Sequence, residues 1–244
     1  MIGARRPVPR TPPKEYPVPS FYSTVRRVAR PLALAYWRPR ITGLEHLPET
    51  GAFLVASNHL ALIDSFVIPL VAPRQVRFIA RADLWQRRGL VGWLMRQFFT
   101  VIGTVPVERG TVRSAQDSLD IALQVLRAGD GFGIYPEGTR SRDGRLYKGR
   151  TGAAWLAQES GAPVIPVGLR GTDRIFVKGK RLPRRPRLSI AVGPPVDFSG
   201  IDPTLSQGVR RREMTRLIMD AIAGLSGQER VDRLNTTASE EGSA

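Results

Sequence analysis

The chain contains no cysteine and only two histidines among its 244 residues. The lack of cysteine excludes a disulfide framework, a thiol nucleophile and a cysteine metal site, and fits a reducing compartment. With so few histidines as well, the composition does not favour a zinc centre. We therefore expect no metal site.

Long hydrophobic runs are also missing. The longest apolar stretches stop, or are interrupted by proline, well before the length of about 18 residues needed to cross a bilayer. The first 20 residues include basic side chains with no apolar region behind them, so we expect no secretory signal.

The apolar residues, 42% of the chain, are enough to build a core. Short β-rich runs alternate with helical patterns, which predicts an α/β fold: a single domain with a mainly parallel, twisted sheet flanked by helices. The predicted strands cover residues 53–57, 76–81, 101–109, 131–138, 163–170 and 188–193.

Three segments are expected along the chain. Residues 1–40 form a basic arm followed by an amphipathic helix, residues 41–227 form the α/β domain, and residues 228–244 form a polar, frayed C-terminal tail. Asp202, which precedes a proline, predicts the start of the last helix of the domain.

The net charge of +16 is concentrated in two places. Residues 1–40 carry a net charge of +8 and residues 170–187 a net charge of +7. Such patches suit an anionic surface, either nucleic acid or phospholipid headgroups. A general arginine bias is the alternative, because only four of the 37 basic residues are lysine.

Two segments mix aromatic and aliphatic residues with arginine. They are residues 20–38 and residues 84–99. Either segment suits a membrane interface, with arginines at the headgroups and aromatic rings at the boundary. The alternative for both is packing against the sheet.

His59 and Asp64 follow the predicted strand 53–57, at an edge where open α/β sheets bind ligands. If His59 lies at a helix entrance and Asp64 within that helix, the carboxylate can reach the imidazole and fix its tautomer. The spacing alone favours a structural histidine, satisfied by backbone groups at the strand end, beside an acid in a helix.

Polar residues follow two further predicted strands. Glu137, Gly138, Thr139 and Arg140 come after the strand that begins at residue 131, and Arg109 ends the strand that begins at residue 101. Glycine permits close backbone approach, and arginine offers a planar fork for phosphate oxygens. The pattern predicts a site where a base meets two arginines.

Four ordered motifs resemble those of the glycerolipid acyltransferases, the 1-acylglycerol-3-phosphate acyltransferase family. They are NHLALID (58–64), GTVPVER (103–109), PEGTRS (136–141) and APVIPVGL (162–169). The resemblance spans about residues 50 to 170. One departure is Ala61, where the family often has serine.

The resemblance implies roles for these residues. His59 would be the general base and Asp64 would orient it, while the acceptor phosphate would be held by Arg109, Glu137, Gly138, Thr139 and Arg140. Val164, Ile165 and Pro166 would lie on the acyl-donor or hydrophobic side. No cofactor is implied beyond the co-substrate, acyl-coenzyme A or acyl carrier protein.

The implied reaction is acylation of lysophosphatidate on the cytoplasmic face of a membrane, to which the protein would bind peripherally through an anionic surface. No nucleic-acid partner is expected from the resemblance. Two alternatives stay open: an acyltransferase that uses glycerol 3-phosphate or another lysolipid, and a non-catalytic basic module that binds membranes or nucleic acid.

Overall fold

A computed structural model of the chain describes residues 20–81, 89, 105–107, 112–176 and 183–235. Its strands are β1 (Arg40–Thr42), β2 (Phe53–Ser57), β3 (Val76–Arg81), β4 (Val105–Val107), β5 (Gly131–Ile134), β6 (Leu146–Lys148), β7 (Val164–Arg170), β8 (Ser189–Val192) and β9 (Arg230–Leu234). Its helices are α1 (Ser20–Trp37), α2 (Asp64–Val71), α3 (Val112–Arg127), α4 (Gly152–Ser160) and α5 (Gln207–Ser226).

Seven strands form one sheet in the order β1-β8-β7-β2-β5-β3-β4. Its neighbouring strands run parallel except for β7 and β8, which are antiparallel. β6 and β9 form a separate parallel pair. The α/β class, the mainly parallel sheet and the N-terminal helix predicted from the sequence are confirmed.

β2 lies at the centre of the sheet and is buried along its whole length. Because strand side chains alternate between faces, Leu54 and Ala56 pack in a core cluster with α3, α4 and α5, while Phe53 and Val55 pack on the other face with α2. A continuous apolar run is what a strand covered on both faces requires.

The parallel pairing of β2 with β5 places the carboxyl ends of these two strands side by side. His59 follows β2, and Glu137 follows β5. The sheet therefore brings the first and third sequence motifs to one edge, where parallel α/β sheets place their ligands.

The C-terminal segment differs from the sequence prediction. Residues 230–234 are not frayed, because they form β9, which pairs with β6. The last helix begins at Gln207 rather than at Asp202. The Asp202 carboxylate instead accepts hydrogen bonds from the backbone N–H and the hydroxyl of Thr204, at 2.8 and 2.7 Å, and so fixes a turn before the helix.

Some predictions fall outside the described residues. Apart from Gly89, the apolar segment 84–99 lies there. Arg109 and residues 1–19, which precede α1, lie there as well. In the described part of the chain, no helix is both long and apolar enough to cross a membrane.

Candidate active site

His59 and Asp64 form a hydrogen-bonded pair at the end of β2. The distance from His59 Nδ1 to Asp64 Oδ2 is 2.9 Å, and the Asp64 side chain is fully buried. With Asp64 accepting the proton of Nδ1, the neutral imidazole has its lone pair on Nε2. Only 14% of the His59 side chain is exposed. The predicted base and orienting acid are therefore brought together as expected.

Asp64 begins α2 and also holds the turn that leads into the helix. The same oxygen, Oδ2, accepts the backbone N–H groups of Leu60 and Ala61 at 2.7 and 2.8 Å. Three donors thus fix the carboxylate, and through it the imidazole. Since residue 61 contributes its backbone N–H to this turn, the alanine in place of the family's serine leaves the orientation of the pair intact.

Tyr135 stacks on the His59 imidazole, a contact that the sequence did not indicate. The two ring centroids lie 3.9 Å apart, and the ring planes differ by 7°. The Tyr135 hydroxyl lies 3.0 Å from the Ser65 hydroxyl. Burial and the charge of Asp64 raise the pKa of Tyr135 well above its ordinary value, so the phenol stays neutral. The ring and the carboxylate hold the imidazole from two directions.

Glu137 is fully buried, and its two oxygens are engaged by backbone groups. Oε1 accepts the N–H of His59 at 3.2 Å, and Oε2 accepts the N–H of Tyr147 at 3.0 Å. Burial raises the pKa of Glu137 to about 7, against the opposing effect of these two hydrogen bonds. Both oxygens of Glu137 thus face backbone donors, and its predicted contact with the acceptor phosphate stays a prediction.

The backbone of His59 is held on both sides by the third motif. Besides donating its N–H to Glu137, it accepts the N–H of Ser141 at its carbonyl oxygen, 2.8 Å away. The loop that contains these residues, 136–145, is called the third-motif loop below. Its contacts confirm that the first and third motifs form one site.

Gly138, Thr139 and Arg140 lie in the third-motif loop beside the pair. Gly138 has a φ of 77°, a left-handed backbone conformation that favours glycine. Thr139 is half-buried and Arg140 is exposed. Arg109, the second predicted phosphate ligand, lies outside the described residues.

The far side of the third-motif loop is organised by Asp143. Its carboxylate accepts hydrogen bonds from the hydroxyls of Ser141 and Tyr147 and from the backbone and guanidinium of Arg145. Desolvation opposes ionisation, but these bonds hold the pKa of Asp143 well below its ordinary value. The loop therefore keeps a fixed negative charge behind its exposed Arg140.

Asn58 is a second residue whose role the sequence did not reveal. Its amide is buried and exchanges hydrogen bonds with both backbone groups of Leu169 in β7, at 2.9 and 2.8 Å. Its Nδ2 also donates to Gln228 Oε1 at 2.7 Å. Its place directly before His59 was the available signal. Asn58 fixes the end of β2 against the next strand.

The three residues predicted for the donor side lie in β7. Val164 and Ile165 are fully buried in the two core clusters, one on each face of the sheet. Pro166 lies under a surface groove between β7 and α5. Val164 and Ile165 therefore build the core and do not face an open donor site, because β7 is an inner strand of the sheet.

Metal ligands were not expected from the composition. Among the residues that the structure describes, no group of three or more histidine, aspartate or glutamate side chains is placed to hold a metal ion. His59 and Asp64 bind each other and the surrounding backbone. The arrangement can abstract a proton at Nε2 of His59 and stabilise the resulting imidazolium.

The chain is similar to several known proteins. The family model described as Acyltransferase matches residues 38–170. A chloroplastic 1-acyl-sn-glycerol-3-phosphate acyltransferase of Brassica napus is 33% identical over 145 residues, which cover 59% of this chain and 40% of the relative. The mouse 1-acyl-sn-glycerol-3-phosphate acyltransferase alpha is 28% identical over 198 residues, which cover 78% of this chain and 67% of the relative.

A solved structure supports the fold. The crystal structure of the 1-acyl-sn-glycerophosphate acyltransferase PlsC from Thermotoga maritima matches with a TM-score of 0.61 at 23% identity, over 85% of this chain and 81% of that chain. The chain belongs to the acyltransferase family, since the family model matches more than half of it. The match spans only about two fifths of the length of the chloroplastic relative.

Proposed function

We propose that the protein transfers an acyl group from a thioester, acyl-coenzyme A or acyl carrier protein, to the free hydroxyl of lysophosphatidate, giving phosphatidate. The observation that carries the proposal is the 2.9 Å hydrogen bond between His59 and Asp64 in a chain of the acyltransferase family. The names of the relatives, which specify acylated glycerol 3-phosphate as the acceptor, support the choice of substrate.

In this reaction the acceptor hydroxyl loses its proton to Nε2 of His59 while its oxygen attacks the thioester carbonyl carbon. Asp64, on Nδ1, stabilises the imidazolium that forms. The tetrahedral intermediate then collapses with loss of the thiolate, which takes the proton from His59 and leaves as a thiol. One C–O bond forms and one C–S bond breaks, with no acyl-enzyme.

The acceptor phosphate is assigned to the exposed guanidinium of Arg140, beside the half-buried Thr139. Arginine suits this task because its planar fork can form two charge-assisted hydrogen bonds with phosphate oxygens. In this proposal Arg109 supplies a second guanidinium. Glu137 acts at one remove, by holding the backbone of His59 and of Tyr147.

We also propose that the protein binds the surface of an anionic membrane through α1. Val28, Leu32 and Tyr36 recur every four residues on this helix and are exposed by 59%, 65% and 39%. Spacing of four residues places them on one face. Leu34, on another face, packs against the core. The exposed stripe suits the interfacial region of a bilayer.

The second basic patch lies next to the same helix. Tyr36 donates its hydroxyl to the carbonyl of Pro183 at 2.9 Å, and Trp37 donates its indole N–H to the carbonyl of Arg184 at 3.0 Å. The guanidinium of Arg185 lies 5.0 Å from the centre of the Tyr36 ring. Exposed arginines thus flank the apolar stripe, where anionic headgroups would meet them.

The enzymatic proposal is tested by an acyl-transfer assay of the purified protein with both donor types. The acceptors would be lysophosphatidate, glycerol 3-phosphate and lysophosphatidylcholine. We expect lysophosphatidate to be preferred strongly over lysophosphatidylcholine, whose single phosphate charge is followed by a bulky cation. Equal use of the two lysolipids would contradict the acceptor assignment, and no transfer to any acceptor would contradict the activity.

The membrane proposal is tested by the binding of Leu32→Asp to vesicles that contain anionic lipid. Losing an apolar contact of the exposed Leu32 with the bilayer and adding a negative charge should weaken binding by about tenfold or more. Ala128→Asp, which adds the same charge at an exposed position after α3, is the matched control. Equal weakening by both variants would show that α1 has no special role.

A further inference from the structure

We infer that residues 228–235, called the C-terminal brace below, position the third-motif loop and thereby determine how tightly the acceptor phosphate binds. The inference rests on the proposed function, in which Arg140 of this loop contacts that phosphate. The sequence gives the brace no motif and a polar composition. Two of its hydrogen bonds nevertheless reach the loop that carries Arg140, and its strand pairs with β6, which directly follows that loop.

The first end of the brace holds the far side of the third-motif loop. Gln228 donates its side-chain N–H to the carbonyl of Gly144 at 2.7 Å. The next residue, Glu229, accepts the backbone N–H of Leu146 at 2.9 Å. The loop is therefore fastened where it leaves its turn and enters β6.

The other end of the brace reaches the phosphate-binding residue itself. Asn235 donates its side-chain N–H to the backbone carbonyl of Arg140 at 3.1 Å. Between the two ends, β9 pairs with β6, and Lys148 forms an ion pair of 3.1 Å with Asp232. The brace thus contacts the loop at both ends, and a shift of β9 would move the Arg140 backbone.

The brace also connects the loop to the base. The side-chain oxygen Oε1 of Gln228 accepts a hydrogen bond from Nδ2 of the buried Asn58, the residue before His59, at 2.7 Å. One side chain therefore bridges the end of β2 and the third-motif loop. This connection fixes the distance between the base and the phosphate site, which a single substrate has to span.

A purely structural role explains these contacts less well. Four of the five residues of β9 are exposed and only Val231 is half-buried, so the strand covers little apolar surface. Its contribution to the free energy of unfolding is correspondingly small. Segments of this kind act locally, on the conformation of what they touch.

The test compares acceptor and donor kinetics in full-length variants. Gln228→Ala and Asn235→Ala each remove hydrogen bonds to the loop, and we expect the KM for lysophosphatidate to rise roughly threefold to tenfold. The KM for the donor should stay near that of the wild type. Gln124→Ala, an exposed glutamine on α3, is the matched control and should change neither value.

Gln228→Glu separates the two contacts of this side chain. The glutamate can still accept the Asn58 amide, but its second oxygen faces the carbonyl of Gly144, where a donor is needed. A rise in the acceptor KM at least as large as that of Gln228→Ala supports the inference. Wild-type acceptor kinetics in Gln228→Glu would overturn it, because only the Asn58 contact would then matter.

Hydrogen exchange gives a readout that does not depend on activity. Both alanine variants should increase the exchange of amides in residues 138–147 and leave those in 112–127 unchanged. Unchanged exchange in residues 138–147 would overturn the positioning role. If the wild type transfers no acyl group while exchange rises as expected, the proposed function fails and the brace stands as a loop-positioning element.

Discussion

The two halves of the candidate site are built in opposite ways. On the base side, Asp64 and Glu137 are fully buried, and His59 is held by a carboxylate, a stacked ring and two backbone hydrogen bonds. On the phosphate side, Arg140 is an exposed side chain on a loop. In the proposed function, the base is thus oriented before any substrate arrives, whereas the phosphate would be met by an exposed side chain.

This difference suggests that the two sides of the site serve different steps, one the chemical step and the other the binding of the acceptor. Groups that take part in the chemical step gain from fixed geometry, because a small misplacement of a base lowers the rate steeply. A phosphate can be gripped by a long, flexible side chain at the surface. We therefore expect substitutions on the base side to act on kcat, and substitutions on the phosphate side to act mainly on the acceptor KM.

The largest effect is expected from His59→Ala. Loss of a general base typically lowers turnover about 10²- to 10⁴-fold, and a direct transfer has no second nucleophile to replace it. Asp64→Asn should be nearly as severe. His46→Ala is the matched control, because this histidine contacts the carbonyl of Val192 away from the site. Near-normal turnover by a well-folded His59→Ala protein would contradict the mechanism.

The second prediction concerns Glu137 and pH. In the folded protein the pKa of Glu137 is raised to about 7, whereas its ordinary value is 4.5. The folded state therefore keeps this proton to higher pH than the unfolded state, and the free energy of unfolding falls as the pH rises from 4.5 to about 7. The free energy of unfolding decreases by roughly 3 kcal/mol over this range. The Glu137→Gln variant should not show this decrease, because glutamine does not titrate. Denaturant unfolding at several pH values should show the wild type losing stability relative to the variant. Parallel pH profiles would contradict this prediction.

Arg140→Ala should have the next largest effect. Losing one charged hydrogen bond costs about 1.5 to 3 kcal/mol, which corresponds to about a tenfold to hundredfold fall in kcat/KM for the acceptor. Arg140→Lys should recover only part of it, since lysine restores the charge without the fork. Arg142→Ala removes the same charge two residues on. A similar fall in kcat/KM for Arg142→Ala would indicate that the positive charge of the loop attracts the acceptor in general, and that Arg140 makes no specific contact.

The smallest effect separates the two contacts of Tyr135. Removing the stacked ring in Tyr135→Ala should lower kcat by about twofold to tenfold, the usual range for an aromatic pair. Tyr135→Phe keeps the ring and loses only the hydroxyl contact with Ser65, so its turnover should stay near that of the wild type. Steady-state kinetics of the two variants decide between ring and hydroxyl; equal losses would assign the effect to the hydroxyl.

The elements predicted correctly are those that a local pattern of hydrophobic residues indicates. The predicted strands 53–57 and 76–81 form with the predicted bounds. The first is a nearly continuous apolar run, as a buried parallel strand requires, and the second is rich in β-branched and aromatic residues. β1, β6 and β9 were missed. They are short, and β9 is polar and exposed, so their pairing partners rather than their own residues define them.

The same distinction holds within the site. The His59 and Asp64 pair was predicted through the resemblance of its motif to the acyltransferase family, because the spacing of five positions alone favoured a structural histidine. The stacking of Tyr135, the backbone contacts of Glu137 and the bridge from Asn58 to Gln228 were not. Each depends on the arrangement of distant strands, which no local pattern states.

The hydrogen bonds of the C-terminal brace join residues that are far apart in sequence, which affects the order in which contacts form during folding. Gln228 and Gly144 are separated by 84 positions, and Asn235 and Arg140 by 95, whereas the base and its acid are five apart. Contacts between residues far apart in sequence form late in folding, because closing a long loop costs conformational entropy. During synthesis, the His59 turn can form while the chain is still short. The hydrogen bond from Asn235 to the third-motif loop forms only after residue 235 has left the ribosome, so this loop completes its contacts later than the His59–Asp64 turn.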